Sequence, residues 1–160
     1  MNNDSIISLI TKAFSKECYA DDFYLVKTCL CMPEIHIAAA IIINSEKKML
    51  LVRKKNTQRF MQAGGKIEAG ESPLDALLRE LNEELQIQPN PTQIHYHGEF
   101  HAPAANEPGH TVHAHIYQLT WHNPIHIAAE LEEARWEYPS DATQLLLAPL
   151  TEHFILPLLI

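Results

Sequence analysis

Apolar positions along the chain form short β-type runs broken by turn residues, with one longer stretch at helical spacing near the middle. Ile35 to Ile43 is β-branched and apolar throughout, which predicts a strand buried on both faces. The Asn44-Ser45-Glu46 turn leads to a second strand over Lys48 to Arg53, and an earlier strand is predicted over about 23–31. Ahead of these, Ile6, Ile7, Leu9, Ile10, Ala13 and Phe14 recur at helical spacing and predict a helix near 4–16. In the central helix, near 73–85, Leu74, Leu77, Leu78, Leu81 and Leu85 fall within about 100° of arc, at roughly 100° per residue, and form one core-facing stripe. Pro89, Asn90 and Pro91 end it. Two strands, about 93–102 and 111–121, flank a loop with Pro103, Asn106, Pro108 and Gly109. Glu133 to Trp136 reads as a further strand, followed by a helix near 141–147 that resumes at 150–159. Strands interleaved with a central and a terminal helix give an α/β chain with a mixed sheet between helical layers.

The central helix carries the chemistry. Ser72 can cap an orphan N–H, Pro73 at the first helical position gives up a donor that had no partner, and Asp75 suits the positive end of the dipole. Glu80, Glu83 and Glu84 project from an arc beside the leucine stripe, because residues three and four apart are helical neighbours. Like charges at this spacing destabilise a helix by a few tenths of a kcal/mol each, and no run of Lys or Arg on that arc offsets them. A divalent cation would. Converging hard oxygen ligands suit Mg²⁺ or Mn²⁺, which keep some waters and accept phosphate oxygens. Ala76, one turn earlier, is expected to leave room for the ion. In front of the helix, Gly64-Gly65, Gly70 and Glu71 mark a loop whose backbone must approach something closely.

From Gly65 to Ile87 the chain resembles the Nudix hydrolase box, G-x5-E-x7-R-E-U-x-E-E-x-G-U with U aliphatic. Gly65, Glu71, Arg79, Glu80, Glu83 and Glu84 match its fixed letters, and Leu81 and Ile87 its aliphatic positions. Gln86 stands where the family has glycine. If that position requires positive φ, glutamine costs of order 1 kcal/mol there. Arg59 to Lys66 also resembles the family's approach to the box, with Ala63 in place of a common proline.

The resemblance implies one Nudix-type α/β/α sandwich domain over residues 1–160, with a mixed central sheet. It further implies metal-dependent hydrolysis of a nucleoside diphosphate linked to another group, by water attacking phosphorus. Carried over residue by residue, Glu80, Glu83 and Glu84 hold the ions, and Arg79 orients a neighbouring carboxylate, Glu71 first. Gly64 serves the turn, while Gly65 approaches the metal or a phosphate. Glu83 or Glu84 could take the proton from water, but a later acid is common in the family. Glu130, six residues before Trp136, is the first choice for that acid and Glu133 the second. Because the box does not name the nucleotide, a (d)NTP or damaged nucleotide is the first substrate expected, with ADP-ribose or another nucleotide sugar second. A Nudix-like module that binds a nucleotide without cleaving it is the competing reading, and the intact carboxylate set argues against it.

With 160 residues and 46% hydrophobic content the chain is long enough for one real core. A net charge of −8 argues against nucleic-acid polymers and anionic membranes as partners, since both need a positive field. Seven of the twelve Lys and Arg nevertheless lie between 47 and 66, at the entry to the box. Of these, Arg53, Arg59 and Lys66 are expected to bind substrate together with Gly64 and Gly65. Cys18, Cys29 and Cys31 are odd in number and lack paired metal-ligand spacing, which suggests buried thiols in a reducing, cytoplasmic setting. Asn2, Asn3 and Asp4 replace the basic start of a signal peptide, and no apolar run approaches the ~18 residues of a membrane span. Homodimerisation is left open. Eight of the ten histidines fall between His95 and His126, with His95, His97, Glu99 and His101 expected on one strand face and His113 and His115 on the next. A zinc site, a pocket lining and plain structural placement are the alternatives for them.

Overall fold

The computed structural model describes residues 33–128 and 130–160. The helix expected near 4–16, the strand near 23–31 and the three cysteines lie outside those residues. In chain order the elements are β1 (Glu34–Ile43), β2 (Met49–Lys54), β3 (Ala63–Lys66), α1 (Pro73–Leu85), β4 (His95–Pro103), β5 (Thr111–Thr120), β6 (Leu131–Glu137) and the short α2 (Pro139–Ala142). The sheet runs β4-β5-β1-β2-β6, with β3 also paired to β1. β1 and β5 are parallel and every other pairing is antiparallel, so the sheet is mixed.

β1 is buried on both faces because its side chains alternate between two cores. Ala38, Ala40 and Ile42 meet Leu77, Leu81 and Leu85 of α1, while Ala39 and Ile41 meet Leu147, Leu150 and Ile155 from the C-terminal segment. Helix on one face and helical turns on the other make the Nudix α/β/α arrangement. Each leucine fully buried under the sheet stabilises the fold by about 1.5–3 kcal/mol, which ties α1 to β1 and so fixes the box against the sheet. Leu78 and Ala76 depart from expectation: Leu78 is only half-buried, while Ala76 is fully buried among the apolar residues of the α1 core.

The ends of α1 follow from their residues. Ser72 Oγ accepts the Asp75 N–H at 3.2 Å, and Pro73 opens the helix. At the far end Gln86 takes left-handed geometry (φ 56, ψ 36), and its N–H reaches the Asn82 carbonyl at 3.1 Å. Glutamine thus occupies the strained cap that glycine ordinarily fills.

Three further departures have local causes. The loop before the box contains β3, held by register with β1 from Ile37↔Lys66 to Ala40↔Ala63. A one-residue bulge lies between Tyr96 and Gly98. It shifts the alternation of β4, so Tyr96, not His95 or His97, shares a face with Glu99 and His101. The helix expected over 141–147 is one turn, Pro139–Ala142, because the chain must extend for Phe60 to bridge Leu147. Beyond it, a π-helical turn at Thr151–Ile155 and a 3₁₀ turn at Leu156–Leu158 close the chain. Among the described residues no helix is long and apolar enough to cross a membrane.

Candidate active site

β3 and α1 bring the box together. Gly64 sits at φ 144 with no room for a side chain: a Cβ there would lie 2.2 Å from the Ala38 carbonyl oxygen of β1. Its N–H donates to Glu84 Oε2 at 3.0 Å. At Gly65 a Cβ would stand 2.3 Å from Glu80 Oε1, so the missing side chain makes the cradle in which the Glu80 carboxylate rests.

Arg79 is the clamp. Its Nε and Nη2 donate to the two oxygens of Glu71 at 2.8 and 3.0 Å, Nη1 donates to Glu80 Oε1 at 2.7 Å, and Nη2 also reaches the Lys66 carbonyl at 3.0 Å. This two-pronged, charge-assisted contact holds the Glu71 carboxyl down at about 2 and raises the guanidinium further. One side chain thereby fastens the loop to the helix and aims Glu80.

The three box glutamates differ in environment. Glu83 is exposed and Glu80 half-buried, but Glu84 is only 2% exposed. Burial pushes the Glu84 carboxyl up to about 7, against the opposing pull of Lys54 and the Gly64 N–H. Its Oε1 is buried without a hydrogen-bond partner; Lys54 Nζ lies 3.3 Å away, close enough for an ion pair. The ammonium of Lys54 also donates to Glu130 Oε2 at 3.0 Å, which lowers the Glu130 carboxyl.

All of these groups except Glu71 line one cleft of about 880 Å³. Its apolar wall includes Ile35, Ile37, Ala39, Val112 and Leu150. Gly64, Gly65 and Lys66 border it too, with Lys66 Nζ 3.5 Å from Glu107. Arg53 and Arg59 are not brought there. Arg53 is spent on Glu132, Glu133 and the Thr57 carbonyl, because its register partner on β6 is Glu133, and Arg59 Nη1 donates to the Leu147 carbonyl. Of the candidate later acids, Glu130 therefore borders the cleft and Glu133 does not.

Two cleft residues escaped the sequence reading. Lys54 was visible only as one of a basic cluster; the register shift between Arg53 and Lys54 turns it inward. Gln62 is 4% exposed, accepts the Thr151 hydroxyl at 2.8 Å and has only the Met49 sulfur, at 3.7 Å, opposite its amide nitrogen. A buried amide in a cleft wall has no sequence signature.

The chain matches the family model of the NUDIX domain over residues 34–156. It is 35% identical over 122 residues to a CTP pyrophosphohydrolase of Escherichia coli (strain K12), covering 74% of this chain and 86% of that protein. Over 73 residues it is 37% identical to an 8-oxo-dGTP diphosphatase of Haemophilus influenzae, covering 43% of this chain and 54% of the relative. The solution structure of the E. coli ORF135 protein superposes with a TM-score of 0.59 at 32% identity, over 80% of this chain and 87% of that one. Family match, sheet order and box geometry agree: the chain belongs to the NUDIX domain family and is a Nudix hydrolase.

Proposed function

We propose that the chain is a Mg²⁺- or Mn²⁺-dependent pyrophosphohydrolase that cleaves the diphosphate linkage of a nucleoside triphosphate or its damaged derivative. The observation that carries this reading is Glu84, a buried carboxylate whose Oε1 accepts no hydrogen bond and is met by the Lys54 ammonium at 3.3 Å, beside Glu80 and Glu83 at the wall of a large cleft. The Lys54 ammonium, shared with Glu130, offsets this buried charge only in part: burial still raises the Glu84 carboxyl, so a further cation would stabilise its charged form. The donor set is all oxygen, which fits Mg²⁺ or Mn²⁺ better than softer ions. Glu80, Glu83 and Glu84 would hold the ion. When bound, a divalent cation there neutralises the bridging phosphates and makes a water more acidic.

The remaining roles belong to the protein. Arg79, locked on Glu71, keeps Glu80 aimed at the cleft. Gly64 and Gly65 let backbone come close to the phosphates, and Lys66 at the rim offers them a cation. Glu130, kept ionised by Lys54, can take the proton from the attacking water. The cleft of about 880 Å³ is large enough for a nucleotide, since ligand pockets run to about 300–1,000 Å³. The similarity to the CTP pyrophosphohydrolase supports nucleoside triphosphates over nucleotide sugars.

A panel of canonical and oxidised nucleotides with Mg²⁺ or Mn²⁺, read by product identification, tests this. The expected products are a nucleoside monophosphate and pyrophosphate. Preference for ADP-ribose would move the assignment to nucleotide sugars. Binding without turnover on any member would replace the enzyme by a non-cleaving module.

A further inference from the structure

The histidines of the sheet form a second constellation outside the carboxylate set of the box. Parallel pairing sets His36 of β1 beside His113 of β5, and antiparallel pairing sets His101 of β4 opposite the same residue. Register puts all of them on one sheet face with Glu99, and the β4 bulge brings Tyr96 into phase with them. Around His113 the rings of His101, His36 and His115 lie at centroid distances of 4.3, 5.0 and 5.2 Å. Glu34, His101 and His113 each offer a ligand atom, all within 4.8 Å of one another.

We propose that Glu34, His101 and His113 form a binding site for a transition-metal ion of the Zn²⁺ class, with Glu99 as the carboxylate that orients His113. The distances suit it. His101 Nδ1 is 3.1 Å from Glu34 Oε1 and His113 Nδ1 is 3.9 Å from Glu34 Oε2. Ligands about 2.0–2.1 Å from a tetrahedral ion stand roughly 3.3 Å apart, so small rotamer adjustments suffice. His113 turns its other nitrogen to Glu99: Nε2 lies 2.8 Å from Glu99 Oε2, while Tyr96 Oη donates to Glu99 Oε1 at 3.1 Å. A metal-bound imidazole characteristically donates its second N–H to a carboxylate, which fixes tautomer and ring orientation. His36 Nε2 lies 3.5 Å from Glu34 Oε2, beside the site. Two imidazoles and one carboxylate favour Zn²⁺, Ni²⁺ or Cu²⁺ over Mg²⁺, so this site and the all-oxygen box select different ions. Glu34 and His36 alternate along β1 with Ile35 and Ile37 of the cleft wall, which places the site on the opposite sheet face from that wall.

The test is a Zn²⁺ titration of the full chain, stripped with EDTA, against a chromophoric chelator in excess Mg²⁺, paired with Co²⁺ absorption spectra. The expected result is one Zn²⁺ per chain that Mg²⁺ does not displace, with tetrahedral Co²⁺ bands and no thiolate charge-transfer band. His101→Ala and His113→Ala should abolish binding while the stripped variants still unfold in one cooperative transition. Glu99→Gln should weaken it about 10–100-fold. Binding retained in His101→Ala but lost in His115→Ala would put the ion between Glu99, His113 and His115 and overturn the assignment. Displacement by Mg²⁺, loss of binding in Glu80→Gln, or a thiolate-to-cobalt band would move it to the box or the cysteines. Failure to bind one equivalent would refute it outright.

Discussion

Replacing Glu84 with glutamine keeps the side chain's size and removes its charge, which isolates the strain stored at the box. The Glu84 carboxyl is raised from 4.5 to about 7, chiefly by burial. At about 1.36 kcal/mol per pH unit, the folded protein without metal loses roughly 3 kcal/mol as pH rises across that interval. The sign follows from proton counting: between the two values the folded state binds more protons than the unfolded one, so stability falls with pH and levels off above about 7. Glutamine does not titrate and keeps an oxygen for the Gly64 N–H, but it aims an amide nitrogen at Lys54, an unpaired donor that costs about 1–3 kcal/mol. Below pH 4.5 the variant should therefore be slightly less stable than the parent. At pH 8 it should be as stable or more stable, by up to about 2 kcal/mol, while its turnover drops at least ~100-fold for want of a ligand charge. Urea unfolding in EDTA at pH 4 and pH 8 reads the first effect and steady-state assays the second. A stability difference that does not change with pH would mean that burial does not raise the Glu84 carboxyl, and unchanged turnover would place the chemistry elsewhere.

Other consequences are equally measurable. Gly65→Ala should push the Glu80 carboxylate from its cradle and cut turnover about 10–100-fold with little loss of stability, because the obstructing atoms end a flexible side chain. Gly64→Ala, facing backbone at positive φ, should instead cost about 3 kcal/mol in urea unfolding. Gln86→Gly should raise stability by about 1 kcal/mol with activity little changed, since φ is 56 there; a large activity loss in a folded variant would show that the glutamine contacts substrate. Mn²⁺ affinity, followed by water-proton relaxation, should rise with pH and flatten above about 7, where Glu84 is ionised; Lys54→Met should move that break upward by removing the ammonium that favours the charged form.

Much of this site is written locally, and the rest depends on contacts distant in sequence. α1 was legible because Ser72-Pro73 caps it, the leucines keep a 3.6-residue period, and Glu80, Glu83 and Glu84 follow from the same spacing. The helix period could not say which glutamate the sheet buries, because that depends on β1 and β3 packing against α1. β3 was missed because Gly64 and Gly65 carry no strand preference of their own; the close approach of β1 demands them. The His95/His97 face failed for a similar reason, since one bulge residue reverses the alternation of a strand and leaves no mark in composition. Arg53 and Arg59 looked like substrate ligands by proximity to the box, but strand pairing gave Arg53 to Glu132 and Glu133 and turned Lys54 to the cleft instead.

The central claim is that the box glutamates hold a divalent ion at the cleft. Anomalous scattering from crystals soaked in Mn²⁺ tests it most directly. A peak within coordination distance of a carboxylate oxygen of Glu80, Glu83 or Glu84 is the expected result, with Glu84 Oε1, which accepts no hydrogen bond within the protein, among the ligands. Fully soaked crystals with no anomalous peak near any of the three would contradict the account.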